Sequence, residues 1–259
     1  MKNYPKISVI TPSFNQGKFL KRTIKSVLSQ SYPNLEYIIK DAGSKDNSIR
    51  IIKHYAAKYP DIIKWVSKPD KGQSDGINQG IKLATGEIIG YLNSDDVYLP
   101  GALLAVGEFF NKNKNAMWVT GDYKIIDEKD KPIQNFIVYY KRMLRKLPHR
   151  LTLSVANYVA QPSTFWRSEL NKEIGMFGKS HLVMDYEFWM RAIRKYKLFT
   201  IEKTLSAFRI HSGSKGKTRY LKQFNEEYKV AQKYVKNSFL LFLHKVHVAV
   251  IILIYKLIK

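Results

Sequence analysis

The sequence predicts an α/β fold in which helices flank a mostly parallel β-sheet. Over about the first 110 residues, short apolar runs typical of buried strands alternate with longer segments whose apolar residues recur at helical spacing. Strict alternation of strands and helices is the pattern of parallel sheets. The chain has 259 residues, of which 45% are apolar, enough for one large α/β domain or two small ones.

The first half of the chain predicts four strands and three helices. The strands are Ile7–Ile10, Leu35–Ile39, Ile62–Val66 and Ile88–Leu92. The helices are Gly17–Gln30, a second from Asp46 or Asn47 to Lys58, and Gln73–Ala84. Polar clusters follow the four strands at Thr11–Asn15, Asp41–Ser44, Lys68–Gln73 and Asn93–Asp96. Ligands of such sheets bind beyond the carboxyl ends of the strands, so these clusters predict one binding edge.

The second half is less regular. Strands are predicted at Met117–Thr120, Tyr123–Ile126, Gln161–Trp166 and Leu198–Ile201. Helices are predicted at Lys141–Arg150, Met184–Tyr196 and Tyr220–Lys236, with a basic loop at His211–Arg219 whose Lys215, Lys217 and Arg219 suit phosphates or lipid headgroups.

The apolar tail Phe239–Ile258 is interrupted by His244, Lys245, His247 and Lys256. A membrane-spanning helix needs about 20 apolar residues with few charges. The interruption therefore favours a helix in the plane of the membrane interface, with its lysines at the headgroups. The alternative is a helix that packs on its own domain or in a homodimer.

The net charge of +23 favours polyanionic partners such as anionic lipid, phosphorylated substrates or nucleic acid. Solvated lysine-rich faces are the alternative. The absence of cysteine excludes a disulfide scaffold, thiolate zinc sites and cysteine nucleophiles. Met1–Lys6 is polar and leads directly into the first strand, so we expect no signal peptide.

The acidic segment Asn93–Asp96 follows the fourth strand directly. Adjacent carboxylates repel each other unless a cation lies between them. Their hard oxygen atoms suit Mg²⁺ or Mn²⁺, and these ions usually bind substrate phosphates as well. The segment therefore predicts a metal and phosphate site, the alternative being a turn with a helix-capping aspartate before Pro100.

Five segments resemble, in the same order, motifs of the family 2 glycosyltransferases, and they cover about the first 100 residues. They are Ile7–Asn15 (ISVITPSFN), Leu28–Glu36 (LSQSYPNLE), Asp41–Ser48 (DAGSKDNS), Asp70–Gly80 (DKGQSDGINQG) and Ala84–Asp96 (ATGEIIGYLNSDD). The resemblance implies a GT-A fold, with a Rossmann-like mixed sheet flanked by helices. We expect a catalytic domain at 1–215, divided into a nucleotide-binding half (1–100) and an acceptor half (101–215), with a C-terminal helical extension at 216–259.

The resemblance also implies inverting transfer of a hexose or N-acetylhexosamine from a nucleoside diphosphate sugar, which we expect to carry UDP. The expected acceptor is a glycan or lipid-linked glycan of surface polysaccharide or glycoconjugate synthesis, and the expected cofactor is Mn²⁺ or Mg²⁺. From charge and tail we expect a cytoplasmic protein, peripheral at the inner face of the plasma membrane.

The resemblance assigns roles on the nucleotide side. Thr11, Pro12, Ser13, Phe14 and Asp41 would hold the base, and Lys71 and Asp75 would face the nucleotide. Asp95 would approach the ribose or the metal, Asp96 would be the main metal ligand, and His211 a further one. Asn93 stands where the family often has aspartate, which leaves one carboxylate fewer.

On the acceptor side, Asp185 matches the family's catalytic base, although Met184 replaces the usual glutamate before it. Glu187 is a candidate substitute that points about 200° around the helix from Asp185. A helix N-cap is the alternative for Asp185. Gln161, Trp166 and Trp189 are candidate sugar contacts, with burial in the core as the alternative for the tryptophans.

The sequence also bears on other functional classes. A nucleic-acid binder should interleave basic residues with exposed aromatics on a known reading element, and none is found, so we expect no nucleic-acid partner. A dinucleotide-binding dehydrogenase would need Gly-x-Gly-x-x-Gly where Thr11–Phe14 stands. A nucleotidyltransferase-like enzyme and a catalytically inactive nucleotide-sugar-binding module remain the alternatives.

Overall fold

In a computed structural model, the structure describes residues 4–179, 182–214 and 219–257. Eight strands within these residues form one mixed sheet in the order β3-β2-β1-β4-β7-β6-β8-β5. The strands are β1 Ile7–Ser13, β2 Leu35–Asp41, β3 Ile63–Ser67, β4 Ile88–Tyr91, β5 Val97–Tyr98, β6 Trp118–Ile126, β7 Thr164–Arg167 and β8 Leu198–Arg209. The helices are α1 Gly17–Leu28, α2 Ser48–Lys58, α3 Gln73–Leu83, α4 Ala102–Lys112, α5 Asn135–Leu144, α6 His149–Val155, α7 Glu169–Ile174, α8 Met184–Lys195, α9 Tyr220–Tyr234 and α10 Ser238–Leu257.

The predicted α/β fold is confirmed. Strands β1 to β4 run parallel, and β1 lies between β2 and β4, with Ile7 paired to both Leu35 and Ile88. Side chains alternate between the two faces of the sheet, so each face needs a separate core. Ile10 packs in the core under α3 and α8, whereas Val9 packs in the core under α1, α2 and α4.

The acceptor half differs in detail from the prediction. Two predicted strands are one continuous strand, β6, which pairs with β8 in parallel through register shifts around Asp122. Strand β8 extends to Arg209, whereas the sequence predicted its end at Ile201. The prediction was too short because the exposed Glu202 and Lys203 interrupt the apolar pattern of the strand. Helices α4 and α7 and strand β5 were not predicted.

The basic stretch predicted as one helix, Lys141–Arg150, belongs to two helices. Helix α5 ends at Leu144, and α6 begins at His149 after Pro148. Proline has no N–H to donate and clashes with the preceding turn, so it suits the start of α6 and not the inside of a helix.

The C-terminal helices pack against the acceptor side of the domain. Val230 and Ala231 of α9 lie in the same core as Trp189, and α10 packs on α6 and α9. Within the described residues, no helix is both long and apolar enough to cross a membrane. The predicted boundary at Lys215 lies outside the described residues, as does Lys217, so the domain division stays a prediction.

Candidate functional site

The loops after β1 and β2 are fastened to each other at the carboxyl edge of the sheet. The Asn15 N–H donates to the Ser44 hydroxyl at 2.8 Å, and the Lys45 N–H donates to Asn15 Oδ1 at 2.9 Å. Asn15 has a φ of 51°, a left-handed conformation that asparagine tolerates better than most residues. These bonds hold the polar clusters of both loops in one fixed arrangement.

Asp41 ends β2, and its side chain is fully buried. Its Oδ2 accepts hydrogen bonds from the N–H groups of Gly43 and Ser44, both at 2.9 Å, and from the Ser67 hydroxyl at 2.7 Å. Its Oδ1 accepts from the Ser44 hydroxyl at 2.5 Å. The carboxylate therefore organises its own loop, and its contact with a base stays a prediction.

The end of β1 offers a surface that suits a nucleobase. Phe14 is 57% exposed, whereas Thr11 is fully buried with its hydroxyl 3.0 Å from that of Tyr37. Pro12 is partly buried. The buried Ser13 hydroxyl has no hydrogen-bond partner within the described residues. An exposed ring can stack on a base, and a buried hydroxyl without a partner is a group that a ligand can satisfy.

The loop that begins α3 is held by Asp75. Its Oδ2 accepts from the Lys71 N–H and from Gln79 Nε2, both at 2.9 Å. The Lys71 N–H bond is the largest cause that lowers the pKa of Asp75. The Lys71 side chain is exposed above this loop. Below it lies Lys40, fully buried, whose Nζ donates to the carbonyls of Asp41 and Lys68.

The structure brings Asp95 and His211 together. Asp95 Oδ2 lies 3.1 Å from His211 Nε2, and both side chains keep some exposure, 20% and 9% respectively. The imidazole packs at 4.7 Å on the ring of Phe19 in α1. Within the described parts of the chain, no three histidine or carboxylate side chains are close enough to hold a metal ion by themselves.

Asp96 does not face this pair. It is fully buried; Oδ1 accepts from the Arg209 N–H at 2.8 Å, and Oδ2 accepts from Asn93 Nδ2 at 3.2 Å. Burial, then the neighbouring charge of Asp95, raises the pKa of Asp96 well above its usual range. The prediction that Asp96 is the main metal ligand is therefore corrected, because both oxygens hold the protein together and neither is open to an ion.

The hydrogen bonds of Asn93 account for an asparagine where the family often has aspartate. Its Oδ1 accepts from Gln73 Nε2 at 2.7 Å, while its Nδ2 donates to Asp96 and, at 3.1 Å, to Gln161 Oε1. An aspartate could not donate either of these bonds. Gln161 in turn donates to the Tyr91 carbonyl at 2.7 Å, so both ends of its amide already have partners.

Asp185 lies in the first turn of α8, after an N-cap at Val183, so it is not the N-cap itself. Its carboxylate is partly exposed, and burial raises its pKa against the opposing effects of the Tyr186 N–H and Lys141. Burial raises the pKa of Tyr91, and the charges of Asp185 and Asp96 raise it further. The pKa of Tyr91, at the end of β4, therefore responds to carboxylates from both halves of the domain.

Helices α5 and α9 surround Asp185 with groups that the sequence did not single out. Burial lowers the pKa of Lys141, against the charges of Glu227 and Asp185. Burial raises the pKa of Glu227 to about 7. His244 of α10 is fully buried and 3.9 Å from Glu227. His244 had a sequence signal, because it interrupts the apolar tail, whereas Lys141 and Glu227 stand beside other charged residues.

Three acceptor-side predictions are corrected. Glu187 accepts from Lys233 Nζ at 3.0 Å and from the Tyr234 hydroxyl at 3.1 Å, so it anchors α9 and is no substitute base. Trp166 and Trp189 are fully buried, and their rings pack at 5.8 Å in the core. Burial prevents either indole from contacting a sugar, so both tryptophans serve to pack the core.

The chain is similar to known glycosyltransferases. The model of the family described as Glycosyl transferase family 2 matches residues 8–199, and the chain belongs to this family. An uncharacterized glycosyltransferase of Rickettsia felis is 30% identical over 227 residues, 82% of this chain and 35% of that protein. The chain thus spans about a third of that relative. A chondroitin synthase of Escherichia coli is 31% identical over 135 residues, 52% of this chain and 20% of the synthase.

Solved structures show the same GT-A fold. Staphylococcus aureus TarS 1–349 in complex with UDP-GlcNAc has a TM-score of 0.66 at 19% identity, covering 90% of this chain and 67% of that one. A mannosyltransferase from Pyrobaculum calidifontis, in complex with GDP-Man and Mn²⁺, has a TM-score of 0.69 at 16% identity, covering 95% and 74%. At these identities the likeness establishes the fold alone.

Proposed function

We propose that this glycosyltransferase moves a hexose or N-acetylhexosamine, with inversion, from a UDP-sugar to a glycan or lipid-linked glycan in surface polysaccharide or glycoconjugate synthesis. The observation that carries the proposal is the convergence of Asp95 and His211 at the edge where Phe14 is exposed and the Ser13 hydroxyl has no partner among the described residues. The TarS complex with UDP-GlcNAc favours UDP and an N-acetylhexosamine, whereas the mannosyltransferase complex favours GDP.

Asp95 and His211 fit a divalent cation such as Mn²⁺ or Mg²⁺. A carboxylate oxygen and an imidazole nitrogen 3.1 Å apart are a suitable pair of donors, and substrate phosphates commonly complete the coordination of such ions. When bound, the ion would neutralise charge that develops on the departing diphosphate. Lys71, exposed beside the same edge, adds a second positive charge for that leaving group.

Asp185 is proposed as the general base. The acceptor hydroxyl oxygen forms a bond to the anomeric carbon while the bond from that carbon to the diphosphate breaks. The hydroxyl proton passes to Asp185, and the electron pair leaves with the diphosphate. Its raised pKa improves the Asp185 carboxylate as a base.

The membrane part of the proposal places the protein at the cytoplasmic face of the plasma membrane, with α10 in contact with anionic lipid. It rests on the net charge of +23 and on the apolar exposed side chains of α10. No specific observation favours a nucleotidyltransferase. The Asn93 side chain does not favour an inactive module either, because its hydrogen bonds to Gln73, Asp96 and Gln161 account for an asparagine at this position.

The decisive experiment is calorimetric titration of the chain with UDP and GDP, each with and without Mn²⁺. The variant Asp95→Asn tests the site, and Asp61→Asn, an exposed aspartate before β3, is its matched control. We expect Mn²⁺-dependent binding of UDP that Asp95→Asn loses and the control keeps. Binding of GDP alone would overturn the choice of donor, and metal-independent binding of both would overturn the metal site.

A further inference from the structure

A basic cavity opens between α6 and the end of α8, away from the nucleotide edge. It has a volume of about 570 Å³ and is lined by Lys146, Leu147, Pro148, His149, Arg150, Ile193, Lys197 and Leu198. Its charged side chains, those of Lys146, Arg150 and Lys197, are all positive. Most of the surface inside the cavity is apolar, and the three positive side chains favour an anionic group beside it.

The basic side chains of the cavity are not paired with carboxylates of the described residues, although the Lys197 Nζ lies 5.3 Å from the centre of the Phe199 ring. In the same stretch of chain, Arg142 and Arg145 both form ion pairs with Asp122. By contrast, Lys146, Arg150 and Lys197 are exposed and form no ion pair with any described residue. Their charge is therefore available to a ligand.

An apolar cavity of about 320 Å³ adjoins the basic one, and both share Leu147 and Pro148 as lining residues. Its remaining lining is mainly apolar and comes chiefly from α5, α6 and α10, with Leu144, Leu151, Val155 and Leu243 among it. A positive cavity joined to an apolar one matches a molecule that has an anionic head and a hydrocarbon chain.

Helix α10 continues the apolar surface. Large side chains recur on it at spacings of three and four, which places them on one face of the helix. They are Phe239, Phe242, Val246, Val250 and Leu253, and each is between 43% and 64% exposed. Soluble proteins rarely leave such a continuous row uncovered, so it indicates a contact surface.

We propose that the two cavities and the exposed row of α10, together called the lipid face, bind an anionic phospholipid of a bilayer. The headgroup phosphate would enter the basic cavity, an acyl chain would enter the apolar cavity, and the row would lie among neighbouring chains. Charge complementarity selects this occupant, since the apolar and basic linings meet at Leu147 and Pro148. The inference rests on the membrane part of the proposed function and gives it a defined surface.

The test is sedimentation of the full chain with vesicles of 30% phosphatidylglycerol in phosphatidylcholine, and with vesicles of phosphatidylcholine alone. One variant carries Lys146→Gln, Arg150→Gln and Lys197→Gln. Its matched control carries Lys21→Gln, Lys53→Gln and Lys114→Gln, which remove the same charge from exposed positions elsewhere. A third variant carries Phe239→Ser, Phe242→Ser and Leu253→Ser.

We expect binding to the anionic vesicles only. The cavity variant should bind about 100-fold more weakly, because each basic residue near an anionic bilayer contributes roughly a fivefold gain. The control should stay within a few-fold of the native chain, and the serine variant should fail to sediment. Equal losses of vesicle binding in the cavity variant and its control would overturn the proposal. The proposal would also be overturned if the native chain were a dimer and the serine variant became a monomer with unchanged vesicle binding.

Donor titration on the same variants separates this inference from the transferase proposal. None of the substituted positions lies at the nucleotide edge, so UDP binding with Mn²⁺ should be unchanged in all of them. A chain that binds vesicles and no nucleotide would refute the donor proposal and leave the lipid face standing. The reverse result would refute the lipid face alone.

Discussion

His211 lies 3.1 Å from Asp95 through its Nε2 atom, although 116 residues separate the two along the chain. The contact joins the end of β4, in the nucleotide half, to the loop after β8, in the acceptor half. Asp95 is the partly exposed carboxylate of the Asn93–Asp96 segment, whereas Asp96 is enclosed by Arg209 and Asn93, and the first two predictions depend on this difference.

Replacing His211 with alanine should weaken Mn²⁺-dependent UDP binding at least tenfold, about 1.4 kcal/mol, because one of two proposed metal donors is lost. Metal-independent binding should not change. Calorimetry at several Mn²⁺ concentrations measures both quantities. His54→Ala, at an exposed position on α2, is the matched control. Equal affinities in both variants would remove His211 from the metal site.

Asp96→Ala should affect stability more than ligand binding. It leaves the buried Arg209 N–H and the Asn93 amide without their acceptor, and each such loss costs about 1–3 kcal/mol. Asp95→Ala, at a partly exposed position, should cost less than 1 kcal/mol of the free energy of unfolding. Urea unfolding of the two variants compares them directly, and equal costs would contradict the contrast between them.

Asp185→Asn should lower the rate of sugar transfer by about 10²- to 10⁴-fold while leaving donor affinity within a few-fold, as expected for a general base. Glu187→Gln is the control on the same helix. It weakens the bonds to Lys233 and Tyr234, so it should lower stability and spare the rate. If both variants lose activity equally, the start of α8 has only a structural role.

Stability should depend on pH through Glu227. Its pKa rises from 4.5 to about 7 on folding, so between these values the folded chain binds more protons than the unfolded one. The contribution of Glu227 to the free energy of unfolding is fully present below pH 4.5 and is lost as the pH rises through 7. The loss amounts to about 3 kcal/mol in all. His244 and His247, whose pKa values burial lowers, act in the opposite direction.

The difference between the native chain and Glu227→Gln isolates this effect, because the histidines contribute to both. We expect the native chain to lose stability relative to the variant between pH 5 and pH 7.5 in urea unfolding. Glu202→Gln, at an exposed position on β8, should run parallel to the native chain. A native curve parallel to that of Glu227→Gln would contradict the raised pKa.

The nucleotide half could be predicted from the sequence because local signals there coincide. Apolar strands and helical stripes alternate without conflict, and parallel pairing brings the polar loops to one edge. The acceptor half has weaker signals. The exposed Glu202 and Lys203 interrupt the apolar pattern of β8, so its full length was not predicted. The basic stretch Lys141–Arg150 has the apolar spacing of one helix, but Pro148 divides it between two.

The finer site assignments could not be read from residue types. Asp95 and Asp96 are neighbours of the same type, and only the position of Arg209 shows that Asp96 is enclosed. Trp189 lies four residues after Asp185, yet burial directs its ring to the core. Lys141 and Glu227 interact electrostatically with Asp185 although the three residues lie on different helices, and the sequence carries no local signal for this arrangement.

Arg209 is fully buried, and its Nε donates to the carbonyl of Asp95, which precedes it by 114 residues. Ribosomes add about 5–20 residues each second, so roughly 6–20 s separate the synthesis of these two residues. During that interval the strands of the nucleotide half have already emerged, while the acidic segment still lacks its buried cation. The order of synthesis therefore means that this edge of the sheet cannot be completed before Arg209 has been made.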